Sequence, residues 1–168
     1  IGSDTLTAFA KYVCGFRAGG FNTLVNNPAY LAYDSEEAEN YEIGFKSLLL
    51  DQRLSVSASV FYLRLNNAVI PVEDGLFTPF QNAEVAETTG LEIDLTAQVT
   101  DELSLIASAG TYQNSIENPV LDISQRPFAP DYTAALAANY EHPLSATVTG
   151  IARLGFRHRS GGILIGPD

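Results

Sequence analysis

The sequence predicts an all-β fold, an antiparallel up-and-down transmembrane β-barrel meander of about seven strands. Three observations predict it. Apolar and polar residues alternate with period two in segments of about ten residues, the length of a tilted strand that crosses hydrocarbon. The links between segments are alternately short and long, as in barrels with periplasmic turns and extracellular loops. No apolar run approaches the ~18 residues of a membrane helix, the longest small-apolar stretch being Ala134 to Ala138.

In chain order, the first two strands are expected at residues 6–17 and 41–49. The third runs from Arg53 onward, setting Leu54, Val56, Ala58, Val60 and Tyr62 against Ser55, Ser57 and Ser59. The fourth, 91–100, is the clearest: Leu91, Ile93, Leu95, Ala97 and Val99 alternate with Glu92, Asp94, Thr96, Gln98 and Thr100 without exception. The apolar set is expected to face lipid, because an acid at mid-bilayer costs roughly 2 kcal/mol or more even on permissive scales. Glu92, Asp94, Thr96 and Gln98 are therefore the expected lumen-facing residues. Three further strands are expected at 103–112, 132–140 and 148–157. In the sixth, Tyr132 and Tyr140 share a face with Ala134, Leu136 and Ala138, which puts an aromatic at each rim of an apolar band about 20 Å tall.

The links agree. Turns around Asp51 and Gln52, around Asp101 and Glu102, and from Glu141 to Ala146 are short; those over 18–40, 73–90 and 114–131 are long. A soluble sandwich gives no reason for every second link to be long. Residues 35–40 could form one helical turn but have no apolar stripe to bury. A few residues break the alternation. Phe9, Val13, Phe61 and Ile151 fall on the polar phase, as if the lumen were packed against a plug; Arg64 falls on the apolar phase, where it would reach the headgroups or follow a bulge.

Composition excludes several functions. Nine Lys and Arg against twenty Asp and Glu give a net charge of −11, and the bases are scattered, which argues against nucleic acid. Cys14 has no internal disulfide partner, and His142 and His158 have no neighbours at ligand spacing, so neither a disulfide scaffold nor a structural zinc site is expected. No cofactor site and no catalytic constellation appear: the serine stripe has no histidine in reach, and Glu92 with Asp94 reads as a pair of solvated lumen charges. Cys14 reads as an inert small hydrophobe. The segment GFRAGGFN lacks the lysine and helix start of a phosphate loop. It reads instead as a strand leaving the membrane at Arg17 and turning at Gly19 and Gly20, with Arg17, Phe21 and Asn22 as candidate ligand-binding residues. Two of the long loops carry four acids each, Asp34, Glu36, Glu37 and Glu39, then Glu73, Asp74, Glu84 and Glu87. Solvation at a surface where divalent ions bridge lipopolysaccharide is preferred over ferric or calcium coordination, so no metal site is assigned.

The segment YVCGFRAGGFN (12–22), followed by NYEIGFKS (40–47), LDQRL (50–54), the Phe61–Tyr62 pair and the Gly90 to Asp94 stretch, resembles the barrel of TonB-dependent outer-membrane receptors, and siderophore-iron receptors look closest. RPFAPDYTAAL (126–136) is similar to a late-barrel strand entry of that family. The resemblance spans almost all of residues 1–168, in order. It implies part of a barrel of about 22 strands, without plug domain, TonB box, signal peptide or terminal aromatic strand; the start at Ile1 likewise fits a processed chain or a piece of a longer one. It further implies a Gram-negative outer-membrane protein that imports a scarce ligand such as a ferric siderophore, with TonB, the plug, the lipid bilayer and lipopolysaccharide as partners. A small self-contained outer-membrane barrel of structural or adhesive type, with eight strands, is the alternative. Produced alone in water, the chain is expected to aggregate or require detergent despite its charge, because each strand puts about five apolar residues on one uncovered face; a detergent-free monomer with cooperative unfolding would contradict this.

Overall fold

Period-two alternation has one structural meaning, and the computed structural model, described for residues 4–72, 74–117 and 130–160, displays it as strands. These are β1 (Thr5–Arg17), β2 (Gly20–Phe21), β3 (Ala32–Tyr33), β4 (Glu36–Leu49), β5 (Leu54–Asn66), β6 (Val69–Pro71), β7 (Phe80–Asn82), β8 (Val85–Gln98), β9 (Leu103–Glu117), β10 (Tyr132–Pro143) and β11 (Thr149–Arg159). Seven of them form one antiparallel sheet in the order β1, β4, β5, β8, β9, β10, β11. Each is hydrogen-bonded to its neighbour in the meander. Among the described residues β1 and β11 do not pair, so the sheet is open.

The registers sort the side chains into two faces. One row runs across all seven strands through Leu6, Ser47, Val56, Leu95, Ala107, Leu136 and Phe156. Its single polar member, Ser47, is buried, and its hydroxyl donates to the Thr5 carbonyl at 2.8 Å, so no polar group is left open there. The adjacent row carries Thr7, Lys46, Ser57, Asp94, Ser108, Ala135 and Arg157 on the opposite face. Nothing in the described residues covers the apolar face: Leu6 is 72% exposed, Ile43 65% and Phe156 63%.

β10 continues to Pro143, where a tight link was expected from Glu141, and other strands run past their expected bounds at the long-loop ends. There β4 begins at Glu36, β8 begins at Val85 and β9 continues to Glu117. The physical reason is a change of chemistry along the apolar phase. Beyond a row of rings at Tyr12, Tyr41 and Tyr62, with centroid spacings of 4.8 and 6.4 Å, that phase carries Glu39, Arg64 and Glu87. Alternation of hydropathy stops at the rings while the hydrogen-bond ladder continues. For the same reason residues 36–40, a possible helical turn by sequence, are strand. Arg64 follows no bulge: its register is unbroken, and it lies between Glu39 and Glu87, with an ion pair to Glu87 at 3.9 Å.

The inward exceptions also have a local cause. Phe9 faces Gly44, and Phe61 and Tyr112 face Gly90 from either side. A Cβ on Gly44 would come within 2.7 Å of the Phe9 ring, and one on Gly90 would overlap both the Phe61 and Tyr112 rings, whose centroids are 6.2 Å apart. Each glycine leaves a gap in the sheet face that a neighbouring ring lies across, so these aromatics pack against their own sheet.

At the other end the links are tight. Leu50, Asp51 and Gln52 take φ of 54°, 55° and 68° in succession, the left-handed region that L residues seldom occupy, closed by Arg53 N–H donating to the Leu50 carbonyl at 3.1 Å. Arg53 then ties this turn to the next through Asp101 at 3.0 Å. In that next turn the Thr100 hydroxyl accepts from the amides of Glu102 and Leu103 at 3.2 and 3.1 Å.

Replacing Gly90 by valine is expected to displace the Phe61 and Tyr112 rings and destabilise the folded sheet by about 1–3 kcal/mol in the full-length protein, read as a lower unfolding midpoint in urea. Gly15→Ala, where a Cβ meets open space, serves as the control and should leave the midpoint unchanged.

Candidate functional site

The long links between β1 and β4 and between β5 and β8 fold into one small unit. Two short antiparallel ladders, β2 with β3 and β6 with β7, join a single 3-10 turn at Pro28–Tyr30. Asn27 caps that turn by accepting from the Ala29 amide at 3.0 Å, and Pro28 supplies the preset φ of a first helical position. Ala68, Ile70, Val72 and Ala83 form a buried cluster against which Tyr30, Leu65, Ala86 and Ile116 pack. Leu65, Ala86 and Ile116 share the face of Ser57 and Asp94, so the loops lie over the polar face of the sheet.

Side chains reaching backbone groups of the other loop hold the unit together. Asn22 donates to the Tyr30 carbonyl and to the Phe80 carbonyl at 2.8 Å, and accepts from the Phe80 amide at 2.9 Å. The Asp74 carboxylate accepts from the amides of Asn26 and Asn27, while the Asn26 side chain donates to the Asp74 carbonyl at 2.7 Å. Asn82 accepts from the Asp34 amide at 2.7 Å and donates to the carbonyls of Asp34 and Asn67 at 3.1 and 2.8 Å. Glu36 accepts from the Val69 amide at 2.7 Å. Bonds to a charged acceptor contribute about 1.5–3 kcal/mol each.

Three candidate ligand residues meet in this unit with different roles. Arg17, the last residue of β1, holds its guanidinium 5.9 Å from the Tyr33 ring centroid and 5.3 Å from that of Phe80, an exposed cation over two aromatic faces. Phe21 is 78% exposed. Asn22 spends its amide on the loop backbone and so acts as a fastener. Beside them lies a cleft of about 450 Å³ walled by Phe21, Leu24, Tyr33, Leu76, Phe77 and Phe80. Such a surface offers ring stacking, apolar contact and attraction to negative charge. Sequence reasoning missed Tyr33, Phe80 and Asn82 and read Asp74 only as a solvated loop acid; the only signal was their density of aromatic and Asn/Asp residues inside links too long to be plain turns.

The other singled-out residues separate cleanly. Glu92, Asp94 and Thr96 lie on the polar face opposite Ser59, Ser57 and Ser55 of β5, and Gln98 lies on it opposite Ser104 of β9, in the register that puts Leu91, Ile93 and Leu95 on the other side. Tyr112 donates to Glu92 at 3.0 Å, and the Gln98 side chain donates to the Thr100 carbonyl at 2.7 Å. Four loop acids are occupied locally: besides Glu36 and Asp74, Tyr12 donates to Glu39 at 2.9 Å, and Glu87 takes both Arg64 and the Tyr62 hydroxyl. Glu73 and the residues 126–129 of the RPFAPDYTAAL segment lie outside the described residues. Among the described residues no group of three or more His, Cys, Asp or Glu is placed to hold a metal ion. Cys14 is exposed on the apolar face.

Comparison with known proteins gives this geometry a family. The TonB dependent receptor-like β-barrel family matches residues 3–164. A probable TonB-dependent siderophore receptor of Acinetobacter baumannii, PiuA, is 32% identical over 103 residues, covering 60% of this chain and 13% of its own length. The metal-pseudopaline receptor CntO of Pseudomonas aeruginosa is 34% identical over 102 residues, again 60% of this chain and 13% of the relative. The chain thus spans about an eighth of the length of these curated relatives. Among solved structures, the ferric yersiniabactin uptake receptor FyuA of Yersinia pestis superposes with a TM-score of 0.72 at 19% identity, over 90% of this chain and 23% of that one. That likeness is one of fold: an open seven-stranded sheet lying along part of a larger barrel. With a family match over nearly its whole length and with these relatives, the chain belongs to the TonB-dependent receptors, as part of their outer-membrane β-barrel.

Proposed function

We propose that this chain forms part of the wall of a plugged outer-membrane transporter that imports a scarce ligand, a ferric siderophore, in a TonB-dependent step. The observation that carries the proposal is a sheet with one continuous apolar row across seven strands and a polar opposite face over which the loops are folded. In this reading the apolar face meets lipid, since hydrocarbon tolerates Leu, Ala and Phe but not Asp94 or Arg157. The row of Tyr12, Tyr41 and Tyr62 marks the outer interface, and the ladder beyond it, with Glu39, Arg64 and Glu87, stands among lipopolysaccharide headgroups. Glu92, Asp94, Thr96 and Gln98 line the lumen beside the plug.

The loop unit then sits at the outer mouth, and Arg17 with Phe21, Tyr33 and Phe80 meets the incoming ligand. Ring faces and a cation suit an anionic chelate with flat donor groups. TonB, driven by the proton-motive force, displaces the plug so that the ligand passes inward. The siderophore receptors among the relatives support the ligand class, and the two-faced sheet supports the membrane placement.

Leu95→Arg in the full-length receptor should cost about 2–4 kcal/mol of membrane stability and reduce the folded, heat-modifiable barrel in outer membranes, whereas Thr96→Lys should be tolerated. Equal loss from both would reverse the assignment of the faces. Arg17→Ala should weaken binding of the ferric chelate by roughly tenfold, about 1.4 kcal/mol, with barrel yield unchanged. Growth on that chelate as sole iron source should vanish on deletion of TonB; growth that persists would remove the transport mechanism.

A further inference from the structure

Five bases of the sheet and its turns each have a partner inside the structure. Lys11 pairs with Glu42, Arg53 with Asp101 at 3.0 Å and Arg64 with Glu87 at 3.9 Å, while Lys46 lies over the Phe9 ring and Arg17 over Tyr33 and Phe80. Two of the three ion pairs, Lys11 with Glu42 and Arg64 with Glu87, join residues that face each other directly across neighbouring strands. Two bases of the last strand depart from this pattern. Arg153 and Arg157, four residues apart on the polar face of β11, face Asn139 and Ala135 on β10 and have no carboxylate partner among the described residues. On the row of Arg157 the nearest acid, Asp94, is three strands away, about 14 Å at ordinary strand spacing; the row of Arg153, through Asn139, Ser104 and Gln98, carries none, and Glu141, one diagonal step away on β10, makes no ion pair with Arg153.

Charge also decides what can cover the bare edge of β11. Strand β1 would cover it if this sheet closed on itself or stacked head to tail with a second copy, but β1 carries Lys11 and Arg17 and no acid at all. A second β11 would set arginine against arginine. Like charges on directly opposed positions are unfavourable. Relatives are several times longer than this chain, so the same polypeptide has further strands to offer.

We infer that the free edge of β11 is covered by another strand of the same polypeptide, one that carries two carboxylates four residues apart on its lumen side, facing Arg153 and Arg157. This inference rests on the reading of the chain as part of the wall of a larger barrel. It assigns β11 as a charge-specified seam and β1, whose one mid-strand base is already paired, as an electrically neutral one.

The test uses the full-length receptor in outer membranes, in a Cys14→Ser background. Arg153→Cys combined with a cysteine at the facing carboxylate of the neighbouring strand should form a disulfide under mild oxidation. Arg157→Glu should lower the temperature at which the unboiled barrel loses its compact band in SDS gels, and exchange of the facing carboxylate for lysine should restore it. If Arg157→Glu yields no folded barrel, Arg157→Gln provides the same comparison. A cross-linked neighbour without acids at those positions, or rescue only by a lysine in the plug, would overturn the charge assignment and leave the barrel reading intact. A disulfide from β11 to β1 would overturn the barrel reading itself.

Discussion

In hydrocarbon a backbone N–H or C=O without a partner costs several kcal/mol, so every strand must be bonded on both sides along its whole immersed length. That single requirement holds the strands in one continuous ladder; the apolar pattern and the tight turns choose its register, and the register sets everything else. Because side chains alternate at each residue, one fixed ladder sends a whole apolar set one way and a whole polar set the other. A slip of one residue between β5 and β8 would exchange Ile93 for Asp94 on the apolar face, together with all their neighbours on the strand. The seven strands keep one phase throughout: the row from Leu6 to Phe156 has no step in it.

Beyond the rings of Tyr12, Tyr41 and Tyr62 the alternation of hydropathy ends but the ladder persists, now with carboxylates and a guanidinium bonded across it. The same backbone geometry thus serves two surface chemistries. Further out, where the ladders end, polar side chains take over the work of satisfying the backbone. Asn22, Asp74 and Asn82 do for the loop main chain what neighbouring strands do below.

The sheet was legible in the sequence because its face is exposed to a uniform medium, which imposes the same rule on every second residue. Leu91 to Val99 shows that rule without a fault, and the seven strands, their neighbours and their faces follow from it. The extra residues of β4, β8 and β9 were hidden for the converse reason: Glu39 and Glu87 occupy strand positions beyond the ring row, where the apolar phase turns polar. What Phe9 and Phe61 pack against within the sheet was hidden, since the glycine each one covers lies on another strand, 35 and 29 positions away, and only the register brings them together. The loop unit was the least legible part. Arg17 and Phe21 stood out beside their glycines, but Tyr33 and Phe80 belong to segments whose meeting depends on bonds between distant main chains.

In the outer-membrane placement proposed above, those bonds have a consequence for anything that recognises the cell surface. Asn22 is stitched to Phe80 across 58 positions of sequence and Asp34 to Asn82 across 48, so the outermost contour is composed of two segments that exist as a surface only together. An antibody or phage tail fibre fitted to that contour reads a discontinuous epitope. A linear peptide copied from either loop lacks the other half, and serum raised against it would meet the native cell as a stranger.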